Sequence, residues 1–585
     1  MIKWKILLCF LFPIILTLKP KEYTSIITFE SSGPSSSGSG VEINGTDAKI
    51  VSAGSYLITG ASDLGSVLVT VDSVNLFLQN LNLESNITAP IIVNSKLTDV
   101  SITSLENVFL INKESPDTST GECAVIKVKK KSKVTINNEK DFSLTGTCKN
   151  VIKGGVETSI IFGESNGEYI IKGYKNGISS DHYLEINGGT FTIETETGDA
   201  IKSSPDDTDT TSEGKIVINN GVFNIDCYED AFTAKKVLHI NDGTFDIKTE
   251  DGYNSKTFDK DTMSAKGFKL SNNETGCEIV IKNGNFKLNT PDDAFHSNGN
   301  LTVINGNFEI YSGDDGMHAD FNLTLGEKGA KTGPIINIYN SYEGLEAQFI
   351  DIYYAKIDLN ASDDGINAAS GSSGDDPGPG PGPGPGPRPG PPPNLRLGPP
   401  GPPPGPHGDS SLYIAIYDGE INVLCKGDGL DSNGAVYIHG GRVNVFSQGP
   451  DEGGDNEPID HDGNFDLYDG EVLCGGNKGM EAVHEGITAG NEKYAYYTSK
   501  LSANSILKIK NENGAEVRQH KIPKNVAYLF YSSINLTEKY KFYVSDSTSG
   551  TETELSFTFG TADGNFFKYG FSKFIFVLVT LLLLL

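Results

Sequence analysis

The sequence predicts an all-β protein: a right-handed parallel β-helix with coils of about 22 residues, followed by a small C-terminal β module. A phrase of the form Asn/Asp-Gly-x-Phe recurs through the middle of the chain, and an acidic turn such as Asp-Asp-Gly or Asp-Ala follows each copy. The best copies place their aromatic residues at Phe191, Phe223, Phe245, Phe286 and Phe308. Their shortest interval is 22 residues, and the longer intervals accommodate insertions.

Each repeat unit alternates β-branched and aromatic residues with Gly, Asn and Asp, a pattern typical of strands and turns. A series of hairpins is the alternative, because Asn-Gly and Asp-Gly between apolar runs are strong hairpin signals. The fixed period favours stacked coils, since equivalent side chains then lie one above another. On this interpretation Phe223, Phe245, Phe286 and Phe308 form an interior aromatic ladder and not a ligand platform.

The N-terminal region divides into three predicted parts. Residues 1–20 carry Lys3 and Lys5 ahead of an apolar stretch, which is typical of a secretory signal peptide. Residues 21–40 contain a Ser/Gly-rich run and predict a linker. Residues 41–180 have strand-like runs with weaker repetition, so we expect the N-terminal cap and first coils there.

The remaining chain is predicted to contain the main β-helix, a cap and an anchor. Residues 181–490 are predicted to form the β-helix, interrupted by a disordered Pro/Gly insert at 375–408. Residues 491–560 predict a β module that caps the last coil. The segment 561–585 ends in an apolar stretch shorter than the roughly 20 residues that span a bilayer. It predicts a lipid-anchor signal or a short transmembrane tail.

The composition limits the possible binding partners and indicates the cellular compartment. Acidic residues outnumber basic ones by 76 to 47, so the net charge of −29 repels nucleic acid and anionic lipid. We therefore expect no nucleic-acid partner, membrane association through the C-terminal tail only, and a monomer. Six cysteines outside the leader suit an oxidising compartment, with Cys123 and Cys148 as the first candidate pair. Predicted N-glycosylation sites are Asn44, Asn86, Asn273, Asn300, Asn322, Asn360 and Asn535.

The acidic turns predict a calcium site. In stacked coils, equivalent carboxylates lie about 4.8 Å apart and repel each other. Ca²⁺ suits such a column because it takes six to eight oxygen ligands in flexible geometry. A solvated acidic ridge is the alternative. The candidate ligands are Asp199, Asp230, Asp251, Asp292, Asp293, Asp314, Asp315, Asp363, Asp364 and Asp428.

The same turns carry a resemblance to a known family. Gly198-Asp199-Ala200-Ile201-Lys202, Pro291-Asp292-Asp293-Ala294-Phe295 and Gly313-Asp314-Asp315-Gly316-Met317 resemble the bacterial cell-surface carbohydrate-binding domain-containing β-helix proteins. That family is similar in fold to calcium-dependent pectate lyases and binds cellulose and acidic pectic polysaccharide. The resemblance implies a parallel β-helix, several bound Ca²⁺ ions and a polysaccharide partner.

Three functional classes follow. The first is an extracellular Ca²⁺-dependent polysaccharide-binding protein displayed at the cell surface, with Tyr228, Tyr253, Tyr311 and Tyr342 as sugar-binding candidates. The second is a polysaccharide lyase, which would use Ca²⁺ and a lysine base of lowered pKa, with Lys202, Lys235 and Lys266 as candidates. The third is a surface adhesin with a protein ligand. The sequence favours the first and assigns no catalytic residue to it.

Overall fold

The structure is a computed structural model that describes residues 22–116, 123–206, 208–370, 411–545 and 551–562. It is 53% strand and 1% helix, which confirms the all-β prediction. Within these ranges the α-helical structure is one turn at Val483–Gly486. None of the helical structure described is long and apolar enough to cross a membrane.

The N-terminal strands begin the stack. Ser25–Glu30 pairs antiparallel with Gly33–Ser36 and parallel with Gly54–Ser62, so the segment expected to be a linker contains a hairpin. Val41–Asn44 pairs antiparallel with Asp47–Ile50. The strands of this region are Ser25–Glu30, Gly33–Ser36, Val41–Asn44, Asp47–Ile50, Gly54–Ser62, Ser66–Val69, Val74–Ser85, Ile91–Val93 and Val100–Asn112.

From residue 126 the strands form three columns, and each strand pairs in parallel with the strand one coil later. Each coil contributes one strand to each column in turn. Column 1 contains Lys133–Asn138, Ser159–Ser165, Tyr183–Ile186, Lys215–Ile218, Val237–Ile240, Glu278–Ile281, Asn300–Val303, Tyr413–Ile416, Ala435–Ile438, Phe465–Leu467 and Ile487–Gly490.

Column 2 follows column 1 across the Asn/Asp-Gly turns. It contains Phe142–Gly146, Glu168–Gly173, Thr190–Thr195, Val222–Cys227, Thr244–Thr249, Asn285–Thr290, Asn307–Ser312, Ile335–Asn340, Ala355–Asn360, Gly419–Leu424, Arg442–Phe446 and Glu471–Gly476. The turn glycines need backbone conformations that side chains rarely adopt, such as φ of +149° at both Gly221 and Gly243.

Column 3 follows column 2 across the acidic turns. It contains Ile126–Val128, Ile152–Gly154, Ile178–Ser179, Ile201–Ser203, Phe232–Ala234, Phe268–Leu270, Phe295–Ser297, Ile366–Ala368, Leu430–Ser432 and Ile459–His461. Two longer strands, Met317–Leu325 and Leu345–Ile352, supply column 3 with their first halves and column 1 with their second halves.

The interior between the columns is filled by stacked aromatic and aliphatic side chains. Phe223 and Phe245 stack at 4.9 Å between ring centroids, and Phe286 and Phe308 at 4.6 Å. These rings are at most 3% exposed, so the predicted interior ladder is confirmed. A second ladder of Phe232, Phe268 and Phe295 packs against it from column 3.

Cys123 and Cys148 form a disulfide, as the sequence suggested, with their Cα atoms 6.5 Å apart. The other described cysteines, Cys227, Cys277, Cys425 and Cys474, are free and buried. They behave as small core residues, so the one disulfide among the described residues is the pair that the sequence analysis named first.

The C-terminal region covers the last coil. Tyr528–Ser533 pairs antiparallel with Glu471–Gly476, the last strand of column 2. Lys493–Tyr497 pairs antiparallel with Tyr528–Ser533 and with Thr558–Thr561. A separate antiparallel sheet consists of Ile506–Lys510, Glu516–Lys521, Lys541–Ser545 and Glu552–Leu555. The signal peptide, the Pro/Gly insert and the anchor lie outside the described residues or largely so.

Candidate functional site

The acidic turns stack into one ladder where column 2 passes to column 3. The ladder residue of each coil lies two positions before its column 3 strand. The outward-facing residue of that strand lies three positions after the ladder residue, and we call these two residues a rung. The ladder residues are Asn150, Asn176, Asp199, Asp230, Lys266, Asp293, Asp315, Glu343, Asp364, Asp428 and Glu457.

Backbone hydrogen bonds tie the ladder together. The amide of Asp230 donates to Asp199 Oδ1 at 3.2 Å, and the amide of Asp315 donates to Asp293 Oδ1 at 3.0 Å. Asp428 donates in the same way to Asp364 Oδ1 at 2.6 Å. Each carboxylate thereby caps the turn of the next coil, which explains why an oxygen-bearing side chain is repeated at this position.

In the lower segment, which spans the rungs from Asp199 to His318, cationic side chains accompany the acids. Lys202 Nζ lies 2.6 Å from Asp199 Oδ2, and Lys269 Nζ lies 3.2 Å from Asp230 Oδ2. Lys266 binds both Asp292 and Asp293, the latter at 2.7 Å. The lower segment is therefore a column of buried ion pairs.

Two stacked histidines complete the lower segment. The His296 and His318 rings lie 4.7 Å apart, and His296 Nδ1 is 2.7 Å from Asp293 Oδ2. His318 Nδ1 is 3.3 Å from Asp315 Oδ2 and 2.5 Å from Glu346 Oε2. Burial alone would lower the pKa of His318, but bonds to its three carboxylate partners outweigh it and raise the pKa well above the usual value. His318 is thus held as a cation.

In the upper segment the rungs carry only acids and one amide. They are Glu343 with Glu346, Asp364 with Asn367, Asp428 with Asp431, and Glu457 with Asp460. The register aligns Glu346, Asn367, Asp431 and Asp460 on successive strands. Apart from the His318–Glu346 contact, the ion pairs found among the described residues do not reach this segment.

The electrostatics of the upper segment reflect this lack of partners. Burial, reinforced by neighbouring carboxylates, raises the pKa of Asp364 to about 7 and that of Asp431 to about 8. The same causes raise the pKa of Glu343 to about 10 and that of Glu457 to about 8. Without a cation, these groups ionise only at considerable cost.

Two buried oxygens in the upper segment lack a hydrogen-bond donor in the structure as described. Asn367 is 8% exposed and donates through Nδ2 to Glu343 Oε2 at 3.0 Å, but its Oδ1 accepts nothing. Glu457 is 3% exposed, and its Oε2 is likewise without a partner. Orphaned oxygens in a carboxylate column suit a hard cation, which accepts amide and carboxylate oxygens alike.

The predicted ligands divide into several groups. Asp199, Asp230, Asp293, Asp315, Asp364 and Asp428 are ladder residues, whereas Asp292, Asp314 and Asp363 immediately precede one. Ligand atoms of Asp292, Asp293 and Asp314 lie within 4.8 Å of one another, although Lys266 binds two of them. Asp315, His318 and Glu346 form a second such group.

Asp251 is not brought to the ladder. It lies exposed just after the column 2 strand Thr244–Thr249, and the insertion that follows places Lys266 in the ladder position. The amide of Lys266 donates to Asp230 Oδ1 at 2.9 Å, as an aspartate amide does elsewhere. A lysine thus occupies the place that the sequence interpretation gave to an acid.

The sequence interpretation missed Glu343, Glu346, Asn367, Asp431, Glu457 and Asp460. Their signal is the spacing of three residues between the ladder residue and the strand residue, as in Asp428 and Asp431. In the lower segment the same spacing joins Asp199 to Lys202 and Asp293 to His296. The spacing is therefore common to both segments, and only the second residue type distinguishes them.

Of the predicted sugar-binding tyrosines, two lie together and two lie apart. Tyr253 and Tyr311 have ring centroids 5.5 Å apart, and Tyr339, which was not predicted, stacks on Tyr311 at 5.0 Å. Tyr228 is 40% exposed. Tyr342 is 36% exposed, and a hydrogen bond to Asp363 raises its pKa. All four border the acidic turns.

The candidate bases of a lyase are poorly suited to that role. Burial would lower the pKa of Lys266, but Asp293 and Asp292 outweigh it and raise the pKa. Lys202 behaves in the same way beside Asp199. Lys235 Nζ donates to the carbonyl of Pro205 at 3.3 Å.

Six of the seven predicted glycosylation asparagines are exposed, and Asn300 is half-buried. Asn322 Nδ2 donates to Asn300 Oδ1 at 2.8 Å, so these two side chains lie in one asparagine ladder. Asn360 Nδ2 donates to the carbonyl of Tyr339 at 3.2 Å. Glycosylation at these positions stays a prediction.

Comparison with known proteins gives one family match and one structural likeness. Residues 44–316 match the model of a family described as carbohydrate-binding domain-containing protein. Among solved structures, a polysaccharide lyase-like protein from C. thermocellum, solved as a gadolinium derivative, is 18% identical with a TM-score of 0.33. That likeness covers 45% of this chain and 99% of the other chain. None of the curated proteins compared with the sequence matches it.

Proposed function

We propose that this chain is an extracellular Ca²⁺-dependent polysaccharide-binding protein built as a right-handed parallel β-helix. The observation that carries the proposal is the upper segment, where four successive rungs offer oxygen atoms and hardly any cationic partner. The three-column register supports the β-helix, and right-handed crossovers between parallel strands are the strong rule.

Ca²⁺ is the cation that suits these groups. It takes carboxylate and amide oxygens in flexible geometry, and Glu343, Asp364, Asn367, Asp428 and Asp431 supply only such atoms. The unpartnered Oδ1 of Asn367 fits this donor set. A bound Ca²⁺ would supply positive charge to the column and leave open positions for sugar hydroxyl or carboxylate oxygens. The predicted ligands of the lower segment stay secondary candidates, because lysine and histidine already accompany them.

Polysaccharide is the ligand class that the family match supports, since residues 44–316 match carbohydrate-binding domain-containing proteins. The tyrosines beside the acidic turns offer ring faces for sugar, in particular Tyr253 and Tyr339, which flank Tyr311. Cellulose or an acidic pectin-like polymer stays the proposed polysaccharide. The raised pKa values of Lys202 and Lys266 favour binding over lyase chemistry, because a base must lose its proton near neutral pH.

The leader, the sequons and the apolar tail support a secreted, glycosylated protein displayed at the cell surface, and its being a monomer stays a prediction. These features come from the sequence alone. An adhesin with a protein ligand would share them, so the sugar-binding experiment also separates these two classes.

The test combines metal analysis with sugar binding. The purified full-length protein is analysed for bound metal, and its binding to an array of neutral and acidic polysaccharides is measured with Ca²⁺ and with chelator. We expect bound calcium and binding of acidic polysaccharide that the chelator abolishes. A protein that binds no calcium, or that binds acidic polysaccharide equally well in chelator, would refute the proposal.

Matched variants locate the metal. Asp431→Asn removes one carboxylate charge from the upper segment and keeps the shape of the side chain. Asp246→Asn makes the same change at an acid that is 57% exposed on column 2. We expect weaker Ca²⁺ affinity in the first variant and unchanged affinity in the second.

A further inference from the structure

A groove follows another corner of the stack, where column 1 passes to column 2. It has a volume of about 570 Å³, within the range of about 300–1,000 Å³ usual for ligand pockets. It runs along four successive coils, from Tyr354 to Glu471, and Ser533, Ile534 and Asn535 of the C-terminal cap line its upper end. The groove lies outside residues 44–316, so the family match says nothing about it.

The floor of the groove is backbone. Gly419, Gly441 and Gly470 occupy the turn positions with φ of +117°, +85° and +115°. A Cβ at Gly419 would lie 2.2 Å from the carbonyl oxygen of Ala355, so the turn requires glycine. A Cβ at Gly441 or Gly470 would likewise lie 3.0 or 2.9 Å from the carbonyl oxygen of Gly419 or Gly441 in the turn below. The glycines therefore let these turns stack closely and form a continuous backbone floor.

One wall of the groove carries alternating charges. The register places Lys356, Glu420, Arg442 and Glu471 side by side on successive column 2 strands. Arg442 Nε lies 2.9 Å from Glu471 Oε2, and Arg518 Nη1 lies 2.6 Å from Glu471 Oε1. The lining also contains Asp418, which Lys331 Nζ contacts, and Asp469. With Lys331 and Arg518 included, four cationic side chains accompany four acidic ones, so the groove offers hydrogen-bond donors and acceptors with little net charge, which suits a neutral ligand rich in hydroxyl groups.

The other side adjoins an aromatic row on the outer face of column 1. Tyr353, Tyr417, His439 and Tyr468 stack at 4.8, 4.9 and 5.1 Å between successive centroids. Their faces cover one another, so this row presents ring edges. Tyr354 lines the lower end of the groove itself. Successive coils repeat about every 4.8 Å, a length comparable to one pyranose unit of an extended β-linked glycan.

We propose that this groove binds an extended neutral glycan without metal, as a second site separate from the acidic ladder. It shares the ligand class of the proposed function but uses none of its ladder residues. The predicted glycosylation residue Asn535 lines the groove and is exposed, so a glycan attached there would compete for the space. The test therefore uses full-length protein from a host that does not attach N-glycans.

The experiment is calorimetric titration of the full-length protein with cellohexaose in the presence of EDTA. We expect binding that EDTA leaves unchanged and that falls at least tenfold in the double variant Glu420→Ala/Arg442→Ala. Both side chains are exposed, so the double variant should have the same melting temperature as the unaltered protein. A second variant, Tyr354→Ala, should weaken binding at the lower end. Lys172→Ala is the control, because it removes an exposed cation paired with Glu194 on column 2, several coils away.

Loss of cellohexaose binding in EDTA, or equal binding by the double variant and Lys172→Ala, would overturn the proposal. A parallel titration with an oligogalacturonate in the presence of Ca²⁺ tests binding at the acidic ladder alone. Failure of that titration with intact cellohexaose binding would refute the calcium-dependent function and leave the groove in place. The reverse result would refute the groove only.

Discussion

The lower and upper segments of the acidic ladder share one backbone and differ in one residue type. Both place an acid two residues before each column 3 strand, with few exceptions, and both cap the next turn through its amide. Three residues after the ladder residue, the lower segment has Lys202, Thr233, Lys269, His296 or His318, whereas the upper segment has Glu346, Asn367, Asp431 or Asp460. The lower segment supplies cations to its own carboxylates, whereas the upper segment needs a cation or a proton from outside.

This difference separates two roles that the acidic turns combine. Capping the turn requires only an oxygen atom at the right place, and Asn176 does it with an amide by accepting from the Asp199 amide at 2.9 Å. Binding a metal requires carboxylate charge without an internal cation. The ladder is therefore structural throughout and is a candidate metal site mainly in its upper part.

The largest expected effect comes from removing the lysine at the centre of the lower segment. Lys266→Ala leaves Asp292 buried without a cation and Asp293 with His296 alone, and breaking such a pair costs about 3–5 kcal/mol. Chemical denaturation should show the loss in the free energy of unfolding. Added Ca²⁺ should restore part of it, because the variant then resembles the upper segment. The surface change Lys287→Ala serves as its control and should cost at most about 1 kcal/mol.

Removal of calcium tests the upper segment. At about 100 times its Kd, a ligand stabilises the folded state by about 2.7 kcal/mol. Chelation should therefore lower the melting temperature of the unaltered protein. Asp364→Asn should show a smaller difference between the Ca²⁺ and EDTA melts. An equal difference in both proteins would mean that the metal lies elsewhere.

The pH dependence in chelator tests the raised pKa values of the upper segment. The pKa of Asp364 is raised to about 7 and that of Asp431 to about 8, so the folded state binds more protons than the unfolded state above about pH 4. The contribution of these groups to stability therefore falls as pH rises from about 4 to 8. Asp293 of the lower segment has the opposite sign, since Lys266 and His296 overcome burial and lower its pKa. Asp199 and Asp315 share the sign of the upper segment, because burial raises the pKa of each. Asp431→Asn should flatten the fall in stability, as followed by thermal melts across this range.

The smallest effect is expected at Asp251. This acid is exposed and lies off the ladder, so Asp251→Asn should change the free energy of unfolding by at most about 0.5 kcal/mol. Ca²⁺ affinity should also stay unchanged. A marked loss of Ca²⁺ affinity would show that the insertion after Thr249 places Asp251 beside a bound metal ion.

The repeat phrase was sufficient to predict the strands and the aromatic interior. A side chain on a stacked strand meets its own equivalent, so Phe223, Phe245, Phe286 and Phe308 could be aligned from their spacing alone. The turn ladder was harder, because an insertion breaks the phase. After Thr249 the sequence offers both Asp251 and Lys266 for one position, and only the pairing of Phe232 with Phe268 decides between them.

In the upper segment Asp364 and Asp428 were predicted as ligands, and the other six rung residues were missed for a different reason. The Pro/Gly insert separates Asp364 from Asp428, and no aromatic phrase of the earlier kind marks these coils. Charge neutralisation is also a property of neighbours in space: the sequence around Asp431 does not reveal that Asn367 and Asp460 flank it. The register does.

The antiparallel strand Tyr528–Ser533, laid across the last parallel strand Glu471–Gly476, has a consequence for how such a molecule can change in length. Because every coil presents the same edge to the next, a duplicated unit could be inserted below this strand and still be terminated by it. Each insertion would lengthen the rod by about 4.8 Å and add one more capped turn. The antiparallel strand thus allows the length of the stack and the number of capped turns to change by whole coils. It also covers the sheet edge and so prevents open-ended growth into fibres.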